Sequence, residues 1–286
     1  MAITGAPYIS VPGASRSEQH DTTAFKVGIY QYETVTLSGS TTGAFAYSSH
    51  QIGAKLILGE RIFYWTRAQL TNATLPGQLL QAAVPSTASN GANSVVLYAN
   101  ASAGTTNIQV TLSAAQTTSG FYNGGYLNIV NPQGSNANLV TTHRIMTTSA
   151  NSTVANTANV INVQLYDPLP FGVTTAANIS LTQSMWDRPI IANATTLTAV
   201  PVGVPLIGVP ASVANTTDYY FWTQTWGPCG VACNAAPTAI GQTQTIGVVA
   251  GFLGAGNANA ILPPLAITIR PQAANAYSLV YLTIAP

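Results

Sequence analysis

The chain has 286 residues and a formal charge of +1, from eight Lys and Arg against seven Asp and Glu. Charged residues make up only 5% of it, where an ordinary soluble domain carries roughly 25%. A hydrophobic content of 47% excludes a disordered tail, the scattered cations exclude a phosphate-tracking nucleic-acid surface, and no apolar run reaches the roughly 20 residues of a membrane span.

What covers the surface instead is neutral: Thr, Ser, Asn, Gln, Gly and Ala occur throughout. Such a surface hydrogen-bonds water, repels its neighbours weakly and is nearly indifferent to salt. It suits a protein packed densely against copies of itself or a partner.

Residues 1–26 show no sustained periodicity and are broken by Gly5, Pro7, Pro12 and Gly13. They also hold Arg16, Glu18, Asp21 and Lys26, four of the fifteen charges. This pattern is read as an extended arm that contacts a neighbour. No basic and apolar leader is visible at Met1–Pro7, so no secretory signal is expected.

From residue 27 the signal is β-strand, and an all-β body is predicted over 27–286. Thr34-Val35-Thr36-Leu37, Lys55-Leu56-Ile57-Leu58 and Ile62-Phe63-Tyr64-Trp65 read as strands. Thr74 can N-cap a short helical turn at Leu75-Pro76, with Leu79 and Leu80 packing before Pro85. Strict alternation follows at Ile108, Val110, Leu112, at Ile161, Val163, Leu165 and at Val280, Leu282, Ile284. Polar clusters such as Ser86–Gly91 and Asn131–Asn136 separate the runs. Short strands at this spacing predict a β-sandwich or barrel-like architecture. A Thr/Ser/Asn/Ala seam near 147–158 suggests a division into two lobes.

The inventory for chemistry is sparse. Seven carboxylates are too dispersed to predict a catalytic pair; Glu18 and Asp21 are the nearest neighbours among them. His20, His50 and His143 read as ordinary hydrogen-bonding histidines. No Gly-x-Ser-x-Gly elbow occurs, and Gly251–Gly256 lacks the Lys of a phosphate loop. Cys229 and Cys233 have no second pair for zinc. They stand either as a small disulfide or as free buried thiols. No enzyme activity, metal or cofactor is expected.

Aromatic residues concentrate at Tyr219-Tyr220-Phe221-Trp222-Thr223-Gln224-Thr225-Trp226-Gly227-Pro228. Consecutive aromatics occupy both faces of a strand, so both faces are covered or one is a contact surface. A buried strand leading into a Gly-Pro turn is favoured over a carbohydrate platform. Trp186-Asp187-Arg188-Pro189 sets two rare charges beside a Trp, as a structural anchor or an interface contact. Arg16, Glu18, Asp21, Lys26, Trp186, Asp187, Arg188, Tyr220, Trp222 and Trp226 are therefore the candidate interface residues.

Over roughly residues 70–255 the order of segments carries a resemblance. Leu75-Pro76-Gly77-Gln78-Leu79-Leu80-Gln81-Ala82 precedes Gly125-Tyr126-Leu127-Asn128-Ile129-Val130-Asn131. Val163–Leu169, Pro201–Val204 and the aromatic-Gln-x-x-Gly-Pro segment at 220–228 follow. This order resembles virion structural proteins of tailed bacteriophages, of the head decoration or cement type. Cys229 and Cys233, directly after the Gly-Pro, depart from that pattern. The resemblance implies a non-enzymatic protein made in the host cytoplasm that binds the outer surface of the capsid. Its partner would be the major capsid protein, and it would form a homo-oligomer, a trimer in preference to a dimer. A tail-fibre or glycan-binding virion protein is the alternative.

Overall fold

The computed structural model describes residues 28–36, 48–83, 91–112, 120–131, 139–150, 160–194, 197–214, 216–234, 239–255, 264–273 and 276–285. Strands β1 (Tyr32–Thr36), β2 (Lys55–Leu58), β3 (Arg61–Arg67) and β4 (Leu80–Gln81) come first. Six follow: β5 (Gly91–Leu97), β6 (Asn107–Thr111), β7 (Tyr126–Val130), β8 (Val140–Ala150), β9 (Val160–Leu165) and β10 (Asn178–Thr182). The rest are β11 (Ile190–Ile191), β12 (Pro201–Pro205), β13 (Thr217–Cys233), β14 (Thr243–Ile246), β15 (Leu253–Ala255), β16 (Ala266–Arg270) and β17 (Ala276–Thr283). The all-β, barrel-like architecture expected from the alternation is what the chain adopts.

The strands form two compact units. One takes β1–β4 and β11–β17, and the other lies within Ala83–Met185. The anticipated seam near 147–158 falls inside the second unit, where β8 and β9 pair as neighbours. The division lies instead at Ala82/Ala83 and Met185/Trp186.

The second unit is a closed antiparallel barrel in the order β10-β5-β6-β9-β8-β7. Its alternating residues fill the interior: Ile108, Val110 and Leu112 from the first run, Ile161, Val163 and Leu165 from the second. Leu127, Ile129 and Leu181 complete the lining, so the barrel is packed rather than hollow. Closure leaves no strand edge to pair with another chain.

In the first unit β13 is the spine, seventeen residues long. The pairings β13–β15, β15–β14, β14–β16, β16–β17 and β17–β13 close a ring around a core of Cys229, Val231, Ile246, Leu253, Leu265, Val280 and Leu282. The expected Gly-Pro turn does not occur. The strand runs through Gly227-Pro228 to Cys233, taking a bulge against β3 between Gln224 and Trp226. Gly227 makes this passage feasible. Its φ of +87° suits glycine, and a Cβ there would sit 2.5 Å from the Glu60 carbonyl. The Gln224 Nε2 donates to the Trp226 and Pro228 carbonyls, at 3.0 and 2.9 Å, and covers two acceptors of the bulged strand.

The short helical turn at Thr74–Leu80 is also corrected, and among the described residues there is no helix. Thr74 bridges Val209 instead, and Leu79 donates its N–H to the Gly251 carbonyl. Gly77, with φ +75°, turns the chain out of a helical path, and Leu80 joins β4. Cross-strand partners outcompete a helix only one turn long. No helix of the described residues is long and apolar enough to cross a membrane.

Candidate functional site

In a chain with fifteen charges, four of them meet in one place. Arg67 ends β3, and its backbone bridges Asp187 in parallel. The Arg67 N–H donates to the Trp186 carbonyl, and Arg188 donates to the Arg67 carbonyl. The side chains repeat the connection. Arg67 grips Asp187 in two bonds, Nε to Oδ1 at 2.5 Å and Nη2 to Oδ2 at 2.7 Å. Its Nη1 reaches Asp218 at 3.4 Å, and Arg188 Nη2 reaches the other Asp218 oxygen at 3.3 Å. The result is a neutral quartet of two partly exposed guanidinium groups and two buried carboxylates.

Burial is what makes this geometry matter. Asp187 is 1% exposed and Asp218 2%. A bare carboxylate there would cost several kcal/mol, and the two-pronged arginine offsets that by charge and by direction. Desolvation alone would lower the Arg67 pKa. The Asp187 charge and hydrogen bond, with Tyr220 and Asp218, reverse that and hold it above the ordinary value. Because the folded pKa is raised, this contribution is present below the unfolded value and is lost only in extreme alkali. Tyr220, the register partner of Arg67, has its phenol pushed up to about 12, chiefly by burial.

An aromatic layer adjoins the quartet. Tyr64 stacks on Trp186 with centroids 4.2 Å apart and planes 7° from parallel. Trp65 meets Trp222 edge-on at 4.9 Å, and His50 lies 5.0 Å from Trp65 and 5.1 Å from Trp222. The Trp65 Nε1 donates to Ser48 Oγ. Trp65, Trp222 and Tyr220 form a core of their own with Val35, Leu56 and Phe63.

Of the candidate interface residues, the fold brings Trp186, Asp187, Arg188 and Tyr220 together in this anchor. Trp222 sits in the adjoining core, buried, which matches the preference for a buried aromatic strand. Trp226 stands apart on the outer face of β13, half-buried, edge-on to Tyr281. Arg16, Glu18, Asp21 and Lys26 lie outside the described residues. Sequence reasoning missed Arg67 and Asp218, which complete the quartet from 151 residues apart. Their one sequence signal was scarcity, each being a lone charge beside aromatic residues.

Chemically the quartet has little to offer a substrate, since its charges neutralise each other and both carboxylates are buried. Among the described residues no group of three His, Cys, Asp or Glu is placed to hold a metal. His143, on β8, is kept toward its neutral form by burial, with Asp167 opposing. The cysteines are free and buried. They sit four residues apart on one extended strand, about 13 Å at the usual rise per residue, too far for a disulfide. Burial pushes the Cys229 thiol up to about 12, with Arg61 opposing. Native protein at pH 8 should therefore consume no iodoacetamide at either cysteine over hours, and both should react once urea unfolds the chain. Alkylation of the native protein, read by mass spectrometry, would contradict this burial.

No family model, no curated protein and no solved structure matches the chain.

Proposed function

We propose that the chain is a non-enzymatic decoration protein of a tailed-phage head, which binds the outer capsid surface and clamps neighbouring major capsid subunits. It acts as a homo-oligomer, a trimer in preference to a dimer, without nucleic acid, membrane or cofactor. The observation that carries this reading is where the charge goes. Four charges are spent inside the quartet, and the barrel unit has only Arg144 and Asp167 between Ala83 and Met185.

The outside of that barrel is correspondingly poor in charge and partly apolar, with Arg144 opposite Tyr126 as the cation of the β7–β8 pair. On the β7–β8 pair, Tyr126, Val140 and Met146 are exposed, Val140 by 64%. Thr142 and Asn128 bond to each other between them. A face of this kind docks by burying apolar and neutral polar surface, and salt has little charge in it to screen. Repetition of a modest contact over a symmetric shell supplies avidity.

The test adds purified chain to expanded heads that lack it and measures occupancy after sedimentation. Occupancy should be equal at about 0.1 M and about 1 M NaCl, where the screening length falls roughly threefold. Val140→Glu, an exposed substitution, should lower apparent affinity at least tenfold. No binding to heads, or binding lost at high salt, would overturn the proposal.

A further inference from the structure

The outer face of β13 carries a shallow groove of about 410 Å³. Tyr30, Arg61, Gln224, Pro228, Gly230 and Tyr277 are among the residues that line it. Both tyrosines are well exposed, by 64% and 54%. Gly230 is exposed in the middle of the strand, and nothing lies within 4 Å of where its Cβ would be. The space above that glycine is open.

The polar groups here are of mixed kind. Gln224 is buried, and its Nε2 is committed to two carbonyls. Its Oε1 has no hydrogen-bond partner among the described residues. Gly230 adds an N–H donor, and its carbonyl, which accepts from Cys229 Sγ at 3.6 Å, keeps a second lone pair as acceptor. Ile284 donates to the Thr225 carbonyl, and the β13–β17 register runs without a shift from Trp226 to Cys233. Antiparallel alternation therefore turns the Gly230 N–H and C=O away from β17. The Arg61 guanidinium supplies donors only.

We propose that this groove binds a pyranose-based glycan. Exposed tyrosine rings provide apolar faces that stack against sugar C–H groups. Hydroxyls, each both donor and acceptor, meet the mixed demand of the exposed Gly230 backbone and Arg61. A phosphate would bring acceptors alone, to a groove with one cation. An added peptide strand needs several consecutive open backbone positions. Here β12 already takes Thr223 and Gln224, and Gly77 accepts from the Ala232 N–H. The volume lies in the usual range for small-ligand sites, roughly 300–1,000 Å³.

The experiment is saturation-transfer NMR on the full chain with three probes: chitohexaose, maltohexaose and an oligogalacturonate, the last being acidic. Transfer to the ring protons of at least one is expected. Gly230→Leu should abolish it, because the new side chain projects into the groove from a position where nothing lies within 4 Å of its Cβ. Tyr277→Ala should weaken it at least tenfold, and thermal melting of both variants should match the parent. Silence with all three probes would overturn the inference, and so would transfer that survives Gly230→Leu. If Gly230→Leu removes the chain from heads while no sugar binds, the groove is a capsid contact. The glycan inference then falls and the decoration reading stands.

Discussion

Replacing Arg67 with Ala should cost about 3–5 kcal/mol, because it removes the guanidinium that meets the buried Asp187 carboxylate in two bonds. The loss is read as a drop in the urea midpoint followed by tryptophan fluorescence. That probe is local, since Trp65, Trp186, Trp222 and Trp226 all belong to the unit built around β13. Arg67→Lys should recover little of it, because an ammonium cannot reproduce the two parallel bonds to Asp187. The double variant Arg67→Met with Asp187→Leu should recover most of the loss. It removes both charges together and leaves Asp218 with Arg188. A cost under about 1 kcal/mol for Arg67→Ala would mean that water reaches the quartet and that it anchors nothing.

Leu127→Ala should destabilise the barrel by about 2–5 kcal/mol. Leu127 is fully buried, faces His143 on β8 and Leu181 on β10 in the strand register, and is surrounded by side chains of a closed ring. A closed barrel collapses poorly onto a missing side chain, because its strands are held on both edges. The cavity is therefore retained. This unit contains no tryptophan. The measurement is hydrogen exchange of the β7, β8 and β10 amides, whose protection should fall by a factor of about 30 or more, as that free energy implies. Unchanged protection would show that the ring repacks.

These two sites differ in how far the sequence reveals them. Strict alternation at Ile108–Leu112 and Ile161–Leu165 points directly to strands with one buried face, and both face the barrel interior. Closure was legible only as a class, since alternation says nothing about which strand pairs with which. The Thr147–Ala158 composition suggested a boundary because polar low-complexity segments usually link lobes. Here Thr147–Ala150 belong to β8 and pair with β9. The Gly-Pro in the aromatic segment signalled a turn, and a bulge absorbed it, because β17 pairs β13 on both sides of Gly227. At the anchor, Asp187 and Arg188 were visible as rare charges next to Trp186. Their partners Arg67 and Asp218 are remote in sequence, and no local pattern encodes a contact between them. The groove at Gly230 was invisible for a different reason: an exposed glycine has meaning only once its neighbours in space are known.

The proposed decoration role requires the chain to be a regularly placed component of a particle surface. Its copy number on purified particles, relative to the major capsid protein, tests that most directly by quantitative mass spectrometry. Icosahedral placement demands a small whole-number ratio, the same in every preparation. A fixed ratio of that kind is the expected result; absence from the particle, or the few copies of a single appendage, would contradict it.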